Sequence, residues 1–253
     1  MKESTLILLK ENLKALKLSS MAKNIEKTVS QAKEDLLGYD AFLLGITSTE
    51  LEIRKSNRLK QRLSQAKFPL MKPFETFNLD EVPELDPIVF KELRDCSFIA
   101  EKRNRIFIGN SGAGKSHLAT AIGIEACHNN YKTRFITGYE LVNELIEARK
   151  EKELSRILNK YKRYHLLILD ELGYVPFTKE GAELLFQVLA ERHERGSVVI
   201  TSNLGFADWT QIFGGATLTT ALLDRVTHNA KILDCNWQSY RLRQTLRNNK
   251  KKK

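Results

Sequence analysis

Apolar residues at the start of the chain recur at helical spacing. Leu6, Leu9, Leu13 and Leu16 fall on one face, as do Ile25, Val29 and Ala32, and glycine and proline are nearly absent from residues 1–66. Steps of three and four predict amphipathic helices. A further helix is expected to open at Thr47-Ser48-Thr49-Glu50, where Thr47 and Glu50 have the spacing of a capping box. Leu59, Leu63 and Ala66 would share one of its faces. Arg54, Arg58 and Arg62 form a row on another, either gripping phosphates or simply solvated. Pro69, Pro73, Pro83 and Pro87 then break the pattern over residues 67–90, because helix cannot run through them.

A helix over 88–101 leads into a different rhythm. Short apolar runs at 105–108, 133–137, 165–169, 197–202 and 230–233 read as strands. Helical patterns fill 115–129, 139–162 (with or without a break), 179–195, 206–213 and 217–227. Such alternation predicts an α/β fold, a mostly parallel sheet covered by helices on both faces. The expected division is a helical domain at 1–66, a linker and lead-in helix at 67–97, a nucleotide domain at 98–247 and a basic tail at 248–253. The tail is expected to be disordered beyond about Leu246.

The first of these strands runs into Gly109-Asn110-Ser111-Gly112-Ala113-Gly114-Lys115-Ser116, which satisfies the phosphate-loop pattern. Glycines let the backbone curl so that successive N–H groups face a phosphate. Lys115 brings positive charge to the outer phosphates, and the Ser116 hydroxyl can ligand Mg²⁺. The helix that follows aims its positive dipole end at the same anion. A nucleoside triphosphate is the expected ligand.

Three further motifs follow. His165-Leu166-Leu167-Ile168-Leu169-Asp170-Glu171 delivers two carboxylates to the carboxyl end of a buried strand. Asp170 is expected to hold the Mg²⁺ begun by Ser116, and Glu171 to orient or deprotonate the attacking water. Val198-Val199-Ile200-Thr201-Ser202-Asn203 is a second buried strand. Asn203 either senses the γ-phosphate or caps the next helix. Arg225, in Leu222-Leu223-Asp224-Arg225-Val226, either reaches the γ-phosphate of a neighbouring subunit or pairs with Asp224 or Asp234.

Composition narrows the setting. The chain has 42% hydrophobic residues and a formal charge of +10, carried on its flanks. Residues 241–253 hold seven basic residues and no acid, residues 1–70 hold thirteen against eight, and the middle is slightly acidic. A polyanion such as nucleic acid fits that balance. No apolar run approaches the ~20 residues of a membrane span, so no membrane partner is expected. Cys96, Cys127 and Cys235 form neither a zinc spacing nor a disulfide framework, which suits a reducing cytoplasm.

The order of phosphate loop, Asp-Glu strand, strand-end Asn, helix-borne Arg and basic Ser239-Tyr240-Arg241-Leu242-Arg243 resembles an oligomeric AAA+ ATPase. More narrowly it resembles the DnaC and IstB group. Gly114-Lys115-Ser116-His117-Leu118-Ala119, Asp170-Glu171-Leu172-Gly173-Tyr174 and the Ser239–Arg243 element are close to the IstB pattern, as is Leu13-Lys14-Ala15-Leu16-Lys17-Leu18-Ser19-Ser20-Met21-Ala22. The resemblance implies an ATP- and Mg²⁺-dependent helper of insertion-sequence transposition. Such a helper forms a ring or helical homo-oligomer on duplex DNA, hydrolyses ATP there and recruits or stimulates a DDE transposase. It also implies that His117 belongs to the nucleotide site, that Asn203 is the first sensor and that Arg225 is a finger acting in trans. Arg241 would be the second sensor, with Arg243 as the competing choice. Asn110 and Ser116 stand where the family often has Pro and Thr, and a usual glycine is absent at Asn236-Trp237-Gln238.

Thr137 and Glu140 have capping-box spacing, and beyond them Arg149, Lys152, Arg156, Lys160 and Arg163 step by three or four. A continuous helix would align all five opposite Leu154, Ile157, Leu158 and Tyr161. Initiator-type ATPases, which this segment resembles, carry an extra helix here. The row is either a track for a DNA backbone or a solvated face interleaved with Glu151 and Glu153. A replicative helicase loader is the alternative on the same core. A small-molecule kinase would have little need for Asn203 and Arg225.

Overall fold

The helical spacing at the start of the chain becomes α1 (Glu3–Ala15), α2 (Ser19–Glu34) and α3 (Tyr39–Ala66). The computed structural model describes residues 3–240, in two compact units that divide between Gln61 and Arg62. In the first unit Leu13, Ala22, Ile25 and Ile46 are buried together, with Leu6, Leu9 and Val29 against them. Glu50 is buried beneath Arg54, accepting from Arg54 Nε at 2.8 Å and from the Met21 amide at 2.9 Å. The expected helix start at Thr47 is corrected. α3 already runs through that position, and Thr47 Oγ1 donates back to the Leu43 carbonyl at 2.7 Å. A threonine satisfied by the preceding turn has no need to cap.

The second unit is built on a parallel sheet. β1 (Asn104–Ile108), β2 (Thr133–Thr137), β3 (Leu166–Leu172), β4 (Ser197–Ser202) and β5 (Ala230–Asp234) lie in the order β2-β3-β4-β1-β5. The central strands alternate between two cores, as period-two side chains must when both faces are covered. Ile106, Leu167, Leu169, Val198 and Ile200 pack on one face. Phe107, Leu166, Ile168 and Val199 pack on the other. The first face is covered by α7 (Gly138–Lys150), α8 (Leu154–Lys162), α9 (Lys179–Arg192), α10 (Trp209–Phe213) and α11 (Ala216–Thr227). The second is covered by α6 (Lys115–His128) and α4 (Pro87–Asp95).

The proline-spaced stretch is not a spacer. Phe74, Val82, Leu85 and Leu93 are buried with Phe107 and Leu118 in the sheet's second core. Pro73 precedes a single 3-10 turn at Phe74–Thr76, and Pro87 opens α4 behind an Asp86 side chain that caps Ile88 N at 2.7 Å. The helix expected over 88–101 divides at Cys96, whose φ is 57°, leaving α4 and the short α5 (Ser97–Ala100).

α8 is tied to the sheet by an unusual group. Arg192 is 2% exposed and its guanidinium has carbonyls, not a carboxylate, around it. Nη1 donates to Tyr161 O (2.6 Å) and Tyr164 O (2.9 Å), and Nη2 to Ser197 O (2.9 Å). Burial alone lowers its pKa to about 10. One side chain thus joins the end of α8 to the start of β4.

Candidate functional site

The phosphate loop leaves the carboxyl end of β1, the edge at which open α/β sheets bind ligands. Gly114, at φ +96°, is the N-cap of α6 and offers no side-chain cap, so the first amides of that helix stay directed at the loop. A β-carbon at Gly114 would also stand 3.1 Å from the Phe77 ring. Lys115 is buried, and its Nζ donates to the carbonyls of Gly109 (2.7 Å) and Asn110 (2.8 Å). Above the loop lies an open cavity of about 400 Å³. Gly112 to His117 form one wall, and Glu171, Thr201 and Asn203 stand across from them. Lys72, Phe77, Asn78 and Val82, from the stretch before α4, line it too.

β3 carries its two carboxylates into a bulge. Leu169 pairs with Ile200 but Leu172 with Ser202, so Asp170 and Glu171 together oppose Thr201. Glu171 takes φ 56° and turns out into the cavity, exposed, while Asp170 is buried at 6% exposure. Thr201 Oγ1 holds both. It donates to Asp170 Oδ1 at 2.5 Å and accepts from the Glu171 amide at 2.9 Å. The fixed bulge keeps two adjacent acids in different surroundings.

Asn203 is exposed, lines the same cavity and caps nothing. The turn after it takes Gly205 as its N-cap, and Ser202 Oγ receives the Leu204 amide at 3.1 Å. Ser116 is half-buried on the cavity wall. A serine hydroxyl and a buried carboxylate are hard oxygen donors of the kind Mg²⁺ takes.

The sequence from residue 11 to residue 248 matches the family described as IstB-like ATP binding protein. The chain belongs to that family. A protein of Pseudomonas aeruginosa, named for ATP binding in insertion sequence IS21, is 36% identical to this IstB-like chain over 232 residues, 92% of this chain and 88% of the relative. One from Geobacillus stearothermophilus, named for insertion sequence IS5376, is also 36% identical, over 90% of this chain and 91% of its own length. Among solved structures the fold is similar to AMPPCP-bound DnaA from Aquifex aeolicus (TM-score 0.56, 18% identity, 71% of this chain and 55% of that one). It is also similar to a DNA replication initiation factor (TM-score 0.56, 17% identity, 72% of this chain and 54% of that one). The IstB-like chain spans little more than half the length of both. The fold is therefore that of AAA+ P-loop ATPases. Among the described residues no helix is long and apolar enough to cross a membrane.

Other expected residues of this IstB-like chain lie elsewhere. Arg225 sits at the opposite end of the sheet from the phosphate loop, beside Asn104 and Asn229. Its guanidinium lies 4.5 Å over the Phe186 ring, and among the described residues it pairs with neither Asp224 nor Asp234. His193, Glu194 and His228 bring donors within 4.8 Å of one another at that same end. They share their pocket with Lys102 and Arg225, whose charges oppose a cation. Arg241 and Arg243 lie outside the described residues, as does the tail expected to be disordered.

The insert keeps its capping box, with Glu140 N donating to Thr137 Oγ1 at 3.2 Å and Thr137 N to Glu140 Oε2 at 3.1 Å. The single cationic row is overturned. Lys152, at φ 60°, ends α7 in a left-handed turn that Lys152 and Glu153 close with bonds to the carbonyls of Arg149 and Ala148, and α8 starts afresh. Arg149 therefore belongs to α7, where it pairs with Glu180 at 3.5 Å. On α8, Ile157, Leu158 and Tyr161 are buried as expected, and Arg156 pairs with Glu153 at 2.5 Å. Glu144 accepts from Lys160 (2.6 Å) and Tyr161 (2.5 Å). Burial pushes that carboxylate up, but these bonds prevail and hold it below its ordinary range. Lys152 and Arg163 are exposed and make no ion pair among the described residues.

His117 lines the cavity above the loop, where the stretch before α4 meets the loop's helix. Its Nε2 is 3.2 Å from the Pro73 carbonyl and 3.1 Å from Thr76 Oγ1, and its ring meets Phe77 edge-on at 5.2 Å. Burial holds its pKa below the usual histidine value. It thus fastens the Phe74–Thr76 turn to the loop's helix. Sequence reasoning missed Phe77 and Asn78, because nothing in a proline-spaced stretch marks it as cavity wall. It also left Thr201 without a task, though threonine amid a Val/Ile strand was a visible signal.

Proposed function

We propose that the chain is an ATPase of insertion-sequence transposition whose nucleotide state governs its hold on duplex DNA. The carrying observation is Glu171, set by the Thr201-locked bulge across one cavity from the phosphate loop, with Asp170 buried behind it on Thr201. Relatives named for ATP binding in insertion sequences support the setting.

In this reading the loop amides from Gly109 to Ser116 and the Lys115 ammonium bind the triphosphate. Ser116 and Asp170 would hold Mg²⁺, which supplies charge neutralisation on the phosphates when bound. Exposed Glu171 orients and deprotonates the attacking water, and Asn203 bonds that water or the γ-phosphate. Arg225, remote from its own cavity, serves the site of a neighbouring copy, so hydrolysis requires a homo-oligomer. Arg241 or Arg243 completes the site as second sensor.

Lys152 and Arg163, with Arg149 and Arg156 in weak exposed pairs and Lys160 held by Glu144, give α7–α8 a cationic surface for a phosphate backbone with little sequence preference. The helical unit, which exposes Ile7, Leu8, Leu36, Leu43 and Leu44, is the candidate contact for the cognate transposase or for other copies. A helicase-loader reading shares this core and differs in its partner.

The test is ATP turnover and particle size, with and without duplex DNA. Both should rise when duplex and ATP are present together. Single copies that hydrolyse at full rate, indifferent to duplex, would sink the proposal.

A further inference from the structure

After β5 the chain does not leave the sheet edge but folds across the phosphate loop as a strap. Cys235 N donates to the Ile108 carbonyl at 2.6 Å, just ahead of the loop. The strap backbone then lies so close to Gly109 that a β-carbon there would meet the Cys235 carbonyl carbon at 2.4 Å. Two residues on, the buried Trp237 points its indole at the loop, and Nε1 donates to the Ala113 carbonyl at 2.7 Å. The Tyr240 amide donates to the Gly112 carbonyl at 3.0 Å. The outer rim of the loop is thus held at Gly109, Gly112 and Ala113 by a segment more than a hundred residues away in sequence.

A trans peptide is planar, and its C=O and N–H point in opposite directions. Pinning the Ala113 oxygen outward therefore aims the Gly114 N–H inward, at the cavity. Within the loop Lys115 holds the carbonyls of Gly109 and Asn110, whereas the Ala113 carbonyl is taken by Trp237 from the strap. An amide array that must receive phosphate binds best when its dipoles are set in advance. We infer that Trp237 is a positioning residue for nucleotide binding: its indole N–H fixes the Ala113–Gly114 peptide so that the Gly114 amide meets the phosphates. The inference rests on the reading of this loop as the nucleotide site.

Trp237→Phe keeps an aromatic ring in place and removes the donor. Trp209→Phe is the matched control, deleting an indole bonded to the Leu204 carbonyl at 3.2 Å. Loop amides cradle the α- and β-phosphates, so ATP and ADP should suffer alike. In Trp237→Phe their Kd should rise about five-fold, the scale of one hydrogen bond. Turnover at saturating ATP and the melting temperature should match those of Trp209→Phe. Kd values within about two-fold of wild type, against that one-bond scale, would overturn the inference. Should Trp237→Phe not fold, wild-type protein labelled with [¹⁵N]Trp decides. It has two indole signals, and that of Trp237 should shift and exchange more slowly once ADP is bound. An unmoved signal with ADP bound overturns the assignment alone. Folded wild type that binds neither nucleotide brings down the nucleotide reading, and the assignment with it.

Discussion

One oxygen on Thr201 separates the fates of two neighbouring carboxylates. It donates to Asp170 and accepts from the Glu171 amide, so the bulge and the buried acid depend on it together. Thr201→Val keeps the shape and removes both bonds. It should cost about 1–3 kcal/mol of stability through the stranded Asp170 oxygen, measurable by denaturant titration. Turnover should fall at least about ten-fold, because a general base works only when placed, while ATP affinity stays near wild type. His117 gives the second residue-scale expectation. Its pKa is depressed in the folded protein, so what the neutral ring contributes is complete above about pH 6.5. That contribution is lost as pH falls through the lowered value. His165 is depressed by burial in the same direction, so overall stability mixes the two. The terminal phosphate of ATP titrates in the same range, so ATP affinity from about pH 8 to about pH 5.5 is read against His117→Asn. It should weaken on acidification in wild type and change less in His117→Asn.

At the scale of elements, the positions that end helices decide how the chain is arranged. Left-handed residues close α1 at Lys17, α2 at Leu36, α6 near Asn130 and α7 at Lys152, and none is glycine. Each carries a steric cost of about 1–2 kcal/mol, recovered by the tertiary packing that follows. Lys152 in particular turns one expected helix into two, and the design of a DNA test follows from it. Reversing Lys160 would set a carboxylate beside Glu144 and disturb α8 itself. Lys152 and Arg163, which make no ion pair among the described residues, changed together to glutamate avoid that. Duplex affinity should drop at least about ten-fold at moderate salt, with a shallower salt dependence, while ATP still binds. Unchanged affinity would remove this segment from the interface. The same residues mark what the sequence made legible. Leu166 to Leu169 and Val198 to Ile200 could be strands because both sheet faces bury them, and the phosphate loop is spelled out locally. A lysine at a left-handed turn, a mid-helix Thr47 bonded to its own helix and a Phe74 buried from within a proline-rich stretch owe their places to tertiary contacts. No local pattern carries those.

At the scale of the molecule, Arg225 and the phosphate loop occupy opposite ends of one sheet, which no single copy can bring together without unfolding. Arg225→Ala should therefore bind ATP normally and fail to hydrolyse it. Mixing it with Lys115→Ala subunits, which keep the guanidinium but lack the phosphate-loop ammonium, should restore part of the turnover. Full activity of Arg225→Ala alone would refute a role between subunits. The buried Arg192 bears on how such experiments can be run. Its partners are carbonyl dipoles around a guanidinium only 2% exposed, whereas contacts between surface lysines and a DNA backbone are screened within about 10 Å at 0.1 M salt. Concentrated salt should accordingly wash nucleic acid off this protein while leaving α8 seated, so that release and denaturation can be told apart in one titration.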